Sequence, residues 1–246
     1  MAGLAVILVL GGTVEGRRLA EELDRRGVGH VLSLAGRTSS PSGAARVGGF
    51  GGVAGLRSFL EENAITTVVD ATHPFAEGMT RNAADACAAL GIRLIRVDRP
   101  GWAAHPHAAD WTWVGDHTAA AAAVGRLGAQ RVLLTVGKQH ALDYSPALDD
   151  VEVLVRATEP PPGPLPAQWT LLLARGPFAL DDERRLFAES RIDCLVTKNS
   201  GGAATAAKLT AAHEAGAAVV MIARPAPPEG AEIVPDAESA LNLLAR

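Results

Sequence analysis

Only two cysteines and one tyrosine occur in the 246 residues, and no charge type is in marked excess. Cys87 (in DACAAL) and Cys194 (in DCLVT) have no CxxC partner and sit in apolar runs. They therefore exclude a disulfide framework and a cysteine-rich zinc site, and both read as small buried hydrophobes. No apolar stretch approaches the roughly eighteen residues of a membrane span. A net charge of −4 offers no basic face for nucleic acid. The first apolar run lacks the basic flank of a signal peptide and feeds straight into glycines, so a cytoplasmic protein is expected. The GxSxG elbow and the P-loop lysine are both missing, which sets hydrolase and kinase chemistry aside. The seven histidines are scattered, so no metal is expected, and His105 and His107, flanking Pro106, read as exposed loop residues.

What the chain does have is a hydrophobic share of 48%, distributed as short apolar runs alternating with helical patterns. That alternation argues for an α/β fold with parallel sheets covered by helices. Strand candidates in the first half are VILVL, 30–35, 66–71, 93–97 and 111–115, with helices at 15–26, 56–63 and 79–90. The alanine-rich TAAAAAVGRLG supplies another helix, whose packing face is Val124 and Leu127. The pattern then restarts with strands at 131–136, 151–157, 169–174, 192–197 and 217–223 and helices at 180–190 and 203–215. EPPPGPLP, residues 159–166, is a proline-stiffened loop. About ten strands exceed one small open sheet. Two Rossmann-like domains are therefore expected, residues 1–128 and 129–246, with an interdomain cleft.

Ligands in such sheets sit beyond the carboxyl ends of the strands. After the first strand comes GGTVEG, in which Gly11, Gly12, Thr13, Glu15 and Gly16 form a strand–turn–helix phosphate cradle. Thr13 replaces the middle glycine of the dinucleotide fingerprint, and its hydroxyl is expected to bond a phosphate directly. After the second strand, Arg37 and Thr38 stand where an NAD-selective protein places an acid, which favours the 2′-phosphate of NADPH. An S-adenosylmethionine methyltransferase also begins with a strand and a glycine turn, but would want an acid there. GGFGG, residues 48–52, reads either as a close approach to a cofactor or as a flexible loop. DATHPFA places His73 past the third strand, a candidate proton donor or a structural turn residue. In the second half three strands run into Lys138 and Gln139, into Arg175, and into Lys198, Asn199, Ser200 and Gly201. Three cations at successive strand ends make an expected anion-binding rim, with the helix from 203 adding its N-terminal donors.

Taken together, LGGTVEGRRLA, SLAGRT, GGFGG, DATHPFA with Met79 and Asn82, LTVGKQ, ARGPF, VTKNSGGAATAAKL and VVMIARP resemble the precorrin-6A reductase family of cobalamin biosynthesis. They cover nearly the whole chain in order. The resemblance implies a cytoplasmic enzyme that reduces one C=C bond of the precorrin-6A macrocycle to give precorrin-6B, with NADPH as hydride source. A sister branch takes the cobalt-containing substrate, typically with NADH. The many carboxylates of such a tetrapyrrole match the cationic rim. A non-catalytic NADP-binding protein is the other reading of the same residues.

Overall fold

The computed structural model describes residues 6–34 and 45–245. Arg37 and Thr38 lie outside the described residues. The chain divides into two compact units. One comprises Met1–Pro100 and Pro225–Arg246, the other Gly101–Arg224.

The first unit contains β1 (Val6–Leu10), α1 (Val14–Arg25), β2 (His30–Leu34), β3 (Ala45–Val47), α2 (Gly52–Glu62), β4 (Ile65–Asp70), α3 (Glu77–Leu90) and β5 (Arg93–Val97). Its sheet is wholly parallel, and β1 lies between β2 and β4. Leu8 stands in register with Val31 and Val68, and is fully buried. A strand covered on both faces must be apolar at every position, which is why β1 reads VILVL without alternation. Helix α1 shows the complementary pattern, burying Gly16, Leu19, Ala20 and Leu23 on one side.

The second unit contains β6 (Thr112–Val114), α4 (His117–Leu127), β7 (Arg131–Thr135), β8 (Glu152–Ala157), β9 (Trp169–Leu173), α5 (Leu180–Glu189), β10 (Cys194–Lys198), α6 (Ala207–Glu214) and β11 (Ala218–Ile222). Here too all pairs are parallel, with Leu195 of β10 between Leu133 of β7 and Val219 of β11. The chain then returns to the first unit as β12 (Glu232–Val234) and α7 (Ala237–Leu244).

Strand order explains why the domain boundary differs from residue 128. The first sheet runs β3-β2-β1-β4-β5-β12 and the second β9-β8-β7-β10-β11-β6. Each is the doubly wound order in which the third, second and first strands precede the fourth, fifth and sixth. The sixth place, however, is filled by the strand from the other half of the sequence. The pattern does restart after Gly128, but β6 and α4 pack with the second sheet while β12 and α7 complete the first. The two exchanged segments are built alike. Each is a three-residue strand followed by an aspartate N-cap: Asp116 accepts from the Ala119 N–H and Asp236 from the Ser239 N–H, both at 2.7 Å.

The short strands β3 and β12, and helix α7 after β12, are the elements that apolar periodicity missed. The helix expected from 203 instead opens with a 3-10 turn over Ala203–Thr205, and α6 begins at Ala207. GGFGG is neither strand nor free loop: it leads into α2, with Phe50 edge-on to Phe59 at 5.1 Å. Both cysteines are buried, and burial first of all raises their thiol pKa values, Cys87 to about 11 and Cys194 to about 12. Among the described residues no helix is long and apolar enough to cross a membrane.

Candidate functional site

In the first unit the site-bearing edge is built around the glycine turn. A Cβ on Gly11 would stand 2.9 Å from a methyl of Leu32, and one on Gly16 would lie 3.1 Å from the Gly11 Cα and 3.3 Å from the Ala71 Cβ. Gly16 therefore lets α1 press against the turn and the end of β4. Gly12 has φ +123° with open space beside it, a conformation that side chains rarely adopt. The strand–turn–helix geometry expected from the sequence is present, with one change. The Thr13 hydroxyl donates to the Ala71 carbonyl at 2.7 Å and accepts from the Gly16 N–H at 3.2 Å. Its proton is committed, so Thr13 caps α1 and ties it to β4 rather than offering a hydroxyl to a phosphate. Glu15, half-buried in the first helical turn, pairs with Arg99 at 3.0 Å. Partial burial pushes its carboxyl pKa up. The backbone N–H at the helix start and Arg99 more than offset this and leave it below the usual value.

Beyond β4 the loop carrying His73 is held by a buried ion pair. Asp70, fully buried, contacts the Arg96 guanidinium at 2.8 Å and accepts from the Thr72 N–H, the Thr72 hydroxyl and the Thr80 hydroxyl at 2.7–3.0 Å. Arg96 donates in turn to the Thr72 hydroxyl and to the His73 carbonyl. His73 Nδ1 accepts from the Phe75 N–H at 3.2 Å, which places the proton of the neutral ring on Nε2. His73 is therefore both a turn residue and a half-buried imidazole with a fixed tautomer.

At the carboxyl edge of the second sheet the residues expected to form the rim separate into distinct roles. Lys198 ends β10, and its Nζ reaches over the Gly137 turn that follows β7. Burial lowers its pKa to about 8, so it still carries most of its charge at neutral pH. Lys138 is ion-paired with Glu159 at the protein surface. Arg175 and Gln139 are exposed. The Asn199 side-chain oxygen accepts the Trp102 N–H at 2.7 Å and its main-chain carbonyl accepts from Arg224 at 2.6 Å. Its side chain is thus an anchor for the segment that enters the unit. Ser200 is buried and Gly201 adopts φ +66° in the same loop.

Several residues were missed because nothing in local sequence marks them. Arg156, near the end of β8, pairs with Glu183 of α5 and lies 4.1 Å from the Phe178 ring centroid. Lys208 is buried, donates to the Thr135 hydroxyl at 3.2 Å and sits 5.5 Å from the Trp102 ring. Burial above all, then Arg156 and Lys198, lowers its pKa to about 7, with Glu183 opposing. Beside Lys198, His117 at the start of α4 lies 3.1 Å from the Tyr144 hydroxyl and stacks on His140 at 4.2 Å. Burial, followed by the charges of His140 and Lys198, holds it down to about 4, so its ring is neutral at pH 7. Arg156, Lys198 and Lys208 leave this edge cationic, with Glu183 the buried counter-charge.

Comparison with known proteins bears on what the two edges serve. Residues 6–245 match the family model described as Precorrin-6x reductase CbiJ/CobK. The chain is 47% identical over 239 residues to a protein of Rhodococcus erythropolis named precorrin-6A reductase, covering 96% of this chain and 95% of the relative. It is 29% identical to the cobalt-precorrin-6A reductase of Salmonella typhimurium, over 90% and 88% of the two chains. A solved structure titled CobK precorrin-6A reductase superposes with a TM-score of 0.87 at 43% identity, covering 98% of this chain and 96% of that one.

Proposed function

The chain belongs to the precorrin-6x reductase family, and on that premise we propose that it reduces precorrin-6A with NADPH as hydride donor. The observation that carries this reading is near-full-length identity of 47% to a precorrin-6A reductase, set against 29% to the cobalt-precorrin-6A enzyme. That contrast favours the metal-free macrocycle as substrate. The glycine turn supports a dinucleotide: a Cβ on Gly11 would crowd the Leu32 and Leu34 methyls, one on Gly16 would crowd the Gly11 Cα and the Ala71 Cβ, and Gly12 opens beside the N-terminus of α1. Gly11, Gly12, Glu15 and Gly16 are the residues proposed to hold the cofactor, Thr13 acting as the cap that shapes the turn. Arg37 and Thr38 are proposed to take the 2′-phosphate, on the chemistry of their side chains.

Bound there, the reduced nicotinamide supplies the hydride; the rest of the chemistry falls to the chain. Lys198 is proposed to bind a substrate carboxylate, supported by Lys138, Gln139, Arg175 and the Asn199–Ser200–Gly201 loop. Lys138 would have to exchange its partner Glu159 for the substrate. His73 is proposed to hold the proton on Nε2 that completes reduction of the C=C bond, its ring kept in one tautomer by the Phe75 N–H. The Asp70–Arg96 pair positions that loop through the Thr72 hydroxyl and the His73 carbonyl.

The test is a comparison of NADPH and NADH with metal-free and cobalt-loaded precorrin-6A, followed by the loss of reduced-nicotinamide absorbance. Turnover should be fastest with NADPH and the metal-free substrate. In Arg37→Glu the Michaelis constant for NADPH should rise far more than that for NADH. Equal changes for both cofactors would remove the 2′-phosphate assignment. NADPH binding without turnover of either macrocycle would overturn the enzymatic reading.

A further inference from the structure

Three of the histidine and aspartate side chains that look scattered in the sequence meet at the surface of the second unit. His107 and Asp110 come from the segment HPHAAD ahead of β6, and His213 from the last turn of α6. One ligand atom from each lies within 4.8 Å of the other two. The His107 and His213 rings stack with centroids 3.4 Å apart and an 11° angle between planes. Two imidazole nitrogens on a tetrahedral ion with bonds of about 2.0–2.1 Å stand roughly 3.4 Å apart, inside the 4.8 Å within which the three ligand atoms already lie. Ligation of one ion requires the two stacked rings to part and tilt until their in-plane nitrogen lone pairs converge.

The surroundings favour ligation over a chance encounter. Asp110 closes a 3-10 turn in which its N–H bonds the His107 carbonyl at 3.1 Å, and this fixes the two ligands relative to each other. His105 Nδ1 accepts the His107 N–H at 3.3 Å, so His105 braces the turn. Glu214, next to His213, is held by Arg184 through two bonds of 2.7 Å and does not compete for the imidazole.

We infer that His107, Asp110 and His213 form a binding site for a divalent transition ion of borderline softness, such as Zn²⁺ or Ni²⁺. Two imidazoles and one carboxylate select such an ion over Mg²⁺ or Ca²⁺, which prefer all-oxygen shells. Water completes the coordination, since Asp110 and His213 are exposed. Bound there, the ion cross-links the segment that enters the second unit to α6, an element distant in sequence. The lysine and histidine edge described above takes no part.

The probe is Ni²⁺, added to untagged protein while tryptophan fluorescence is recorded. The Trp111 ring lies 5.1 Å from that of His105 and Trp113 lies 5.9 Å from Trp111, so a paramagnetic ion at this site quenches them. Quenching should saturate at one ion per chain, reverse with EDTA and be competed by Zn²⁺. His213→Ala and Asp110→Ala, both at exposed positions, should each weaken the midpoint at least tenfold while keeping the wild-type circular dichroism. His140→Ala should leave it unchanged, because His140 belongs to the other histidine pair. Zn²⁺ should also raise the melting temperature of the wild type but not of His213→Ala. Non-saturating quenching, or equal midpoints in wild type, His213→Ala and Asp110→Ala, would overturn the assignment.

Discussion

Replacing Asp70 with alanine gives the most direct measure of how firmly the His73 loop is held. The carboxylate accepts three hydrogen bonds from Thr72 and Thr80 and contacts Arg96 at 2.8 Å. Arg96 is only 4% exposed, so Asp70→Ala leaves a buried guanidinium without its counter-charge. Breaking a buried pair in this way costs about 3–5 kcal/mol, a large fraction of the roughly 5–15 kcal/mol that typical domains possess. Arg96→Met should cost a similar amount by stranding the carboxylate. The double variant Asp70→Ala/Arg96→Met removes both charges and should cost less than the sum, with a coupling of about 1–3 kcal/mol. All four tryptophans (102, 111, 113 and 169) fall in the second unit, so far-ultraviolet circular dichroism must follow urea unfolding of the first. Reductase activity, by the same reasoning, should fall in both single variants and stay low in the double, because the loop has lost its anchor. Additive single and double effects, or a loss below about 1 kcal/mol for Asp70→Ala, would refute the ion pair as the anchor.

Lys198→Ala should weaken substrate by about 1.5–3 kcal/mol, the worth of one charge-assisted bond, with the NADPH Michaelis constant unchanged. Wild-type kcat/KM should fall as pH rises through about 8, where Lys198 loses its proton, and that inflection should vanish in the variant. Lys208 titrates at about 7 in the folded chain, against about 10.4 when unfolded. The unfolded state therefore binds more protons between those values, and stability should climb with pH by up to about 1.4 kcal/mol per unit across that window. Lys208→Met should flatten the climb and be the more stable protein at pH 7; parallel curves for the two proteins would exclude Lys208 as the source.

Much of this was readable in the sequence because parallel strands advertise themselves. VILVL and RVLLT are largely buried and carry almost no polarity, and RLIRV buries its second arginine only against Asp70, so their positions emerged to within a residue or two. Thr112–Val114 was legible within the expected 111–115, whereas Glu232–Val234 is too short for periodicity to act on, and at a sheet edge it need not be uniformly apolar. Their exchange between units depends on which sheet has an open edge, a property of the folded layers and not of local residues. At the site, the glycines were legible because backbone geometry demands them, and the cations because each follows directly on an apolar strand. The cap role of Thr13, the anchor role of Asn199 and the burial of Lys208 were not legible for one shared reason: each depends on a partner far along the chain, namely Ala71, Trp102 and Thr135. The gathering of His107 with His213, separated by more than a hundred residues, was invisible on the same grounds.

The exchange of sixth strands also sets a timetable for synthesis. The second unit is one continuous stretch, Gly101–Arg224, whereas the first requires Pro225–Arg246 to fill its last edge. As the chain leaves the ribosome, the second unit can close before the first, reversing the usual N-terminal-first order. At about 5–20 residues per second the remaining segment takes roughly one to four seconds to appear. Through that interval β5 presents an unpaired edge that only β12 later covers, an interval in which the nascent first unit is most open to chaperones and to mispairing.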